Sequence, residues 1–190
     1  MLKKLFTYIF TVLAVAGLWL GVPQQASAEF PEKPIAFVVL DHSGNVDGPI
    51  YKEFRSVAKL IYNFPYYQLQ DGGVAQEKLA ALVNSKQKLN AVTLAQVAEE
   101  AQLEGIVVAH IYEMDERRII RSSFRDMDDD LVRVTAWADL MVYRKDGNRF
   151  LMKKLRESNV REIGDYDHPD YTIKWELSKV INTLEGKEII

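Results

Sequence analysis

Apolar and polar residues recur along this chain with two different periods, and each change of period marks a new element. Ile35 to Leu40, IAFVVL, is apolar at every position, which predicts a strand covered on both faces at the centre of a sheet. In DGPIYKEFRSVAKLIYNFP the residues Ile50, Phe54, Val57, Ala58 and Ile61 recur at helical spacing, with Pro49 in the first turn and Pro65 past the end. That segment predicts an amphipathic helix. YYQLQD, Tyr66 to Asp71, predicts a short strand, after which Gly72 and Gly73 turn the chain into a second helix with Ala75, Leu79, Leu82 and Val83 on its core side. A polar link from Asn84 to Asn90 leads into TLAQVAEEAQLEG. Here Thr93 and Gln96 have capping-box spacing, and Gly105 is placed to close the helix.

IVVAHIYEM, from Ile106, is rich in β-branched residues and predicts the next strand. RRIIRSSF, Arg117 to Phe124, is read as a further strand. LVRVTAWADLMVY, Leu131 to Tyr143, alternates strictly, with Val132, Val134, Ala136, Ala138, Leu140 and Val142 on one face. KDGN, Lys145 to Asn148, supplies an Asp-Gly hairpin turn into RFLMKKLRES, Arg149 to Ser158. The last helix has Asp167 and Asp170 at capping positions, Pro169 in its first turn, an apolar stripe of Ile173, Leu177, Val180, Ile181 and Leu184, and Gly186 beyond it. The fold class that follows is α/β with an α+β tendency. It has a mixed sheet with helices on both faces, three layers, and the order β-α-β-α-α-β-β-β-β-α.

The first residues change the picture of where this domain works. Lys3 and Lys4 precede an apolar run from Leu5 to Leu20, and Ala26, Ser27 and Ala28 form a small-residue cleavage signal after Gly21 and Pro23. This is the pattern of a signal peptide over residues 1–28, cleaved after Ala28, leaving residues 29–190 as a single periplasmic or secreted domain. The apolar run is also long enough to be retained as an anchor, while nothing after residue 28 could span a bilayer. The formal net charge of the chain is −3. Removing the two lysines takes it to −3 − 2 = −5, which argues against a nucleic-acid partner. The chain has no cysteine, so disulfides, thiolate metal sites and lipid attachment at a cysteine are excluded.

The central IAFVVLD strand, a helix, the short YYQLQD strand, a helix pair ending in LAQVAEEAQLEGIVVAHIYEM, a long strand pair and a closing helix form a recognisable series. It resembles the α/β domain shared by the TolB N-terminal domain, the LpoB-type lipoprotein activators of peptidoglycan synthases and the CsgG-type envelope proteins. The resemblance covers nearly all of the chain after the signal segment, with EEAQLEGIVVAHI as its most specific part. It implies that the helix-Gly-strand passage leads into the heart of the sheet, and that the domain binds other envelope proteins without catalysing a reaction. The chain departs from the group in lacking a lipobox cysteine and in carrying the turn DHSGN.

That turn is the first candidate for chemistry. Asp41, Ser43 and Asn45 resemble the D-x-S-x-S metal-dependent adhesion motif of von Willebrand A domains, which also follows a buried first strand, and oxygens at this spacing can converge on a hard cation. Asn45 replaces a hydroxyl, and neither DGGVAQ nor AHIYEMD supplies the family's later loops. The competing expectation is a turn whose polar side chains satisfy their own backbone. FRDMDDDL places Asp126, Asp128 and Asp130 at calcium-loop spacing, but Leu131 and Trp137 stand where such a loop needs Gly and Glu. A solvated acidic hairpin tip is the alternative. His42, His110 and His168 invite catalysis. His110, however, alternates with Ile106, Val108 and Tyr112, His168 sits at a helix N-terminus, and Ser43 lacks the G-x-S-x-G elbow of an exposed nucleophile. Glu99 and Glu100 read as a solvated helix face.

The long strand is more informative. At 3.3 Å per residue, Leu131 to Arg144 extends about 46 Å, more than helices readily cover. Its second face carries Arg133, Thr135, Trp137, Asp139, Met141 and Tyr143. Arg133, Trp137, Met141 and Tyr143 are the protein-binding candidates, since aromatic, sulfur and Arg side chains are enriched in interfaces. Packing of Trp137 under a helix of the same domain is the competing expectation. The function expected is therefore an exported envelope binding or assembly module, non-enzymatic and without a cofactor, with an envelope protein as partner and a homo-oligomer left open. The alternative is a metal-dependent adhesion domain using Asp41, Ser43 and Asn45.

Overall fold

The computed structural model describes residues 32–119, 131–162, 164 and 168–187. In chain order the elements are β1 (Lys33–Asp41), α1 (Gly48–Ile61), β2 (Tyr67–Asp71), α2 (Gly73–Asn84), α3 (Ala91–Glu100), β3 (Gly105–Ile119), β4 (Leu131–Arg144), a 3-10 turn (Asp146–Asn148), β5 (Arg149–Glu162) and α4 (Pro169–Glu185). The strands form one mixed sheet in the order β2-β1-β3-β4-β5. β1 lies parallel to β2 and β3, and β3, β4 and β5 run antiparallel to one another. The passage from β1 to β2 moves one way across the sheet and the passage from β2 to β3 moves back. Right-handed crossovers therefore send their helices to opposite faces. On one face α1 and α4 cover Phe37, Val107, Ala138 and Leu140; on the other α2 and α3 cover Val38, Ile106, Val108 and Met141. Between these layers Ile35, Ala36, Phe37 and Val38 have no exposed surface. Each such side chain contributes about 1.5–3 kcal/mol if large.

The mixed sheet with helices on both faces matches the sequence expectation, with local differences. RRIIRSSF does not begin a strand of its own: Arg117, Arg118 and Ile119 finish β3, and residues 120–124 lie outside the described residues. Asn90, not Thr93, caps α3. Its side chain accepts from the backbone of Val92 and Thr93, while Thr93 answers to the Asn90 backbone. Gly105 is the first residue of β3, and the left-handed backbone position after α3 falls to Gln102 at φ 55°. α4 starts after His168, with Pro169 in its first turn and Gly186 as a left-handed C-cap; Asp167 lies outside the described residues.

Three features hold the sheet in this form. A Cβ on Gly105 would lie 2.8 Å from the Tyr143 carbonyl oxygen and 2.8 Å from Arg144 Cδ, so only glycine lets β3 start this close to the end of β4. In β3 one extra residue, Tyr112, sits opposite no partner: Ile111 pairs with Ala138 and Glu113 with Trp137. This bulge shifts the alternation, so that Ile111 and Met114 both point into the α1/α4 core. Finally, Arg144 has no exposed surface. It donates to Glu185 Oε1 at 2.8 Å, stands 4.8 Å from the centroid of the Tyr67 ring and 5.6 Å from that of Tyr62, and the Tyr62 hydroxyl donates to the same Glu185 oxygen at 2.9 Å. Burial and the Glu185 carboxylate push the Tyr62 phenol well above its ordinary range.

Gly105→Ala is expected to cost about 1–3 kcal/mol in urea unfolding through forced displacement of the β4 backbone. Gly48→Ala, where an added Cβ meets nothing within 4 Å, is expected to be neutral or stabilising by under about 1 kcal/mol. Glu185→Ala leaves a buried guanidinium without its carboxylate and is expected to cost about 3–5 kcal/mol. In the same assay Asp71→Asn, at the exposed Arg55 pair, should cost under about 1 kcal/mol.

Candidate functional site

β1 runs out at Asp41 into the turn His42 to Asn45, beside the middle of β3. Asp41 is consumed by this turn. Its Oδ1 accepts from the Ser43 amide at 2.8 Å and the Ser43 hydroxyl at 2.6 Å, its Oδ2 accepts from the Val46 amide at 3.0 Å, and the Ser43 hydroxyl accepts from the Asn45 amide at 3.2 Å. Burial pushes the Asp41 carboxyl up, but the hydrogen bonds from Ser43, Val46 and Gly44 outweigh it and hold it below the ordinary carboxylate value. The Asn45 side-chain amide donates to the Met114 carbonyl. A cation would have to displace these bonds, and no group of three or more His, Cys, Asp or Glu side chains placed to hold a metal occurs among the described residues. Asp126, Asp128 and Asp130 lie outside the described residues.

Beyond the turn, the α2/α3 side of the sheet is open. The two helices cover Met141 and Tyr143 near the end of β4, with Phe150 and Met152 packed beside them. Further along the same face Tyr112, Trp137 and Val160 are 39%, 40% and 48% exposed, with cover from described helices ending before them. A polar network stiffens the rim of this open region. Asp139, itself buried, accepts from the Tyr112 hydroxyl at 3.0 Å and from Arg156 at 2.7 Å. The same guanidinium also donates to the Ala138 carbonyl at 2.9 Å and lies 5.0 Å from the Tyr112 ring centroid. Burial and the Asp139 carboxylate push the Tyr112 phenol up. His110 and His42 extend the cluster, with ring centroids 4.3 Å from His110 to Tyr112 and 5.0 Å from His110 to His42. A cavity of about 370 Å³ adjoins it at the end of β1, lined by Asp41, His42, Gln76 and Asn84 among others. It lies between the end of β1 and α2.

The four protein-binding candidates therefore divide. Met141 and Tyr143 are buried under α2 and α3 of the same chain, so they cannot meet a partner; β4 carries them into the covered half of its own face. Arg133 and Trp137 lie on the uncovered half, exposed, with Trp137 opposite Glu113 on β3 and Arg156 on β5. Among the described residues no helix packs over Trp137, which stays 40% exposed. The sequence alone does not single out Tyr112, Asp139 and Arg156 as an interface, because their meeting depends on the bulge at Tyr112. His168 lies at the start of α4 on the other face, against Glu116.

Comparison with protein-family models and with curated proteins finds no match. Among solved structures, the chain is similar to the hypothetical protein CT253 from Chlamydia trachomatis, at 10% identity and TM-score 0.43, over 82% of this chain and 96% of that one. It is similar to the lipoprotein GNA1162 from Neisseria meningitidis, at 14% identity and TM-score 0.36, over 82% and 99%. A PelC dodecamer from Paraburkholderia phytofirmans aligns at 8% identity and TM-score 0.38, over 83% and 90%. Scores this low at such identities assign nothing to this chain.

His110 gives the cluster a measurable signature. It is 5% exposed and its Nε2 has no hydrogen-bond partner. Burial, then the neighbouring His42, depress its pKa to about 4, with Asp139 opposing and Arg156 adding to the depression. In the unfolded chain the imidazole takes a proton near 6.5, while in the fold it refuses one until about 4. Acid therefore favours unfolding: the contribution is complete above about pH 6.5 and is lost as pH falls toward 4, on the order of 3 kcal/mol in total. Urea midpoints measured from pH 7 to pH 5 should fall for the wild type, and His110→Gln should flatten that slope.

Proposed function

We propose that this protein is an exported, non-enzymatic binding module of the cell envelope, recognising another envelope protein through the open α2/α3 face of its outer strands. The observation that carries the reading is the uncovered patch of Trp137, Tyr112 and Arg156. Trp, Tyr and Arg are the side chains that dominate interface energetics. Here Arg156 is held by Asp139 and the Tyr112 ring, so little side-chain freedom is lost on binding. Export rests on the charged start, apolar run and Ala-Ser-Ala step of the first 28 residues. No helix among the described residues is long and apolar enough to cross a membrane. The self-satisfied Asp41 turn favours surface recognition over the metal-dependent adhesion alternative.

A photo-crosslinking amino acid placed at Trp137 in the full chain, irradiated in intact cells, should give a discrete adduct with another envelope protein. The same probe at Leu60, 74% exposed and remote from the patch, should not. Adducts of equal yield and identity at both positions, or none at position 137, would remove this reading. Trp137→Ala should leave the melting temperature within a few degrees while abolishing adduct formation from a probe at Arg133.

A further inference from the structure

β5 is the last strand of the sheet, and no described strand pairs with its outer side. Arg156 to Glu162, RESNVRE, is exposed at every residue. A strand edge whose amides and carbonyls no described strand pairs is a template for another strand unless something blunts it. Three of its charges are unused: the side chains of Glu157, Arg161 and Glu162 make no ion pair or hydrogen bond among the described residues, while Arg156 is engaged by Asp139 and by the Ala138 and Leu155 carbonyls. Their order is self-complementary. Laid antiparallel against a second copy with Asn159 opposite Asn159, Arg156 faces Glu162, Glu157 faces Arg161, and Ser158 faces Val160.

Geometry narrows the alternatives. Outward-pointing amides and carbonyls on an edge strand belong to every second residue, so a regular two-fold pairing requires both members of each facing pair to have the same parity. Slipping the register by one residue in each copy toward the hairpin turn, with Ser158 opposite itself, keeps only Lys154 against Glu162. A further such slip places Lys153 against Arg161 and Glu157 against itself, both repulsive. We infer that the outer half of β5 pairs with β5 of a second copy about a two-fold axis at Asn159, joining two five-stranded sheets into one. The pairing supplies roughly six to eight backbone hydrogen bonds and two pairs of opposite charges, each occurring twice. Arg156 keeps its bonds to Asp139, since a guanidinium has five donors. Of the paired edge residues only Arg156 also belongs to the patch around Trp137; Glu157 and Arg161, which alternate to the other face of β5, do not, so changing them tests the edge without touching the patch.

The test uses charge reversal and rescue on the full chain, purified after export, with sedimentation velocity from low to high micromolar concentration. The wild type should be a concentration-dependent dimer. Glu157→Arg places Arg opposite Arg, Arg161→Glu places Glu opposite Glu, and each variant alone should weaken dimerisation at least tenfold with an unchanged melting temperature. Mixing the two variants should restore a dimer, because at both ends of the pairing an arginine of the first variant then faces a glutamate of the second. The double variant, with the two charges exchanged, should dimerise like the wild type. A monomeric wild type across the range, single variants that dimerise normally, or mixed and double variants that stay monomeric would each overturn the inference.

Discussion

A guanidinium with no exposed surface ties the separate parts of this fold together. Arg144 ends β4, and its partners come from three other elements: Glu185 from the end of α4, Tyr62 from the residue capping α1, and Tyr67 from the start of β2. Burying such a charge is tolerable only where a carboxylate and hydrogen bonds compensate it. Here Arg149 adds a second cation to Glu185 at 3.4 Å and also donates to the Leu184 carbonyl at 2.9 Å. The α1/α4 layer is therefore registered against both edges of the sheet's inner half at one point. The aliphatic stem of Arg144 also fills the space that Gly105 leaves open, so the ion pair and the close approach of β3 to β4 are one arrangement.

With that end fixed, the sheet divides into two halves of different character. The inner half, β2, β1 and the first part of β3 with the end of β4, is enclosed between two helix layers. The outer half, where the long strands run on past α2 and α3, offers among the described residues one open face and one edge that no strand pairs. The proposed surface recognition and self-pairing would both use this outer half, through backbone and side chains that the packing of the inner half does not need.

Much of this was legible in the chain, for identifiable reasons. IAFVVL has no polar position, so β1 had to be covered twice, and the stripes of Phe54, Val57 and Ala58 and of Ile173, Leu177, Val180 and Ile181 are the residues buried in α1 and α4. What escaped depends on contacts between distant segments. The alternation in β4 correctly put Trp137, Met141 and Tyr143 on one face, yet it could not say where along that face α2 and α3 stop. Met141 and Tyr143 consequently proved to be core and Trp137 surface. The capping of α3 was misplaced because Asn90 and Thr93 satisfy each other as well as a Thr93–Gln96 box would have done. Nothing in RRIIRSSF marks Arg117 to Ile119 as the tail of β3, because that assignment comes from pairing with Leu131 to Arg133 on β4.

The unpaired Tyr112 separates two stretches of β3 that obey opposite parities. Inward of it, odd-numbered residues such as Val107 and Ile111 enter the α1/α4 core; outward of it, even-numbered Met114 does. One irregular position thus absorbs the phase difference between the two stretches. The outer ribbon can lengthen or shorten over evolutionary time by whole pairs of residues without disturbing how the enclosed half is packed, whereas a change by a single residue would turn its solvent side inward.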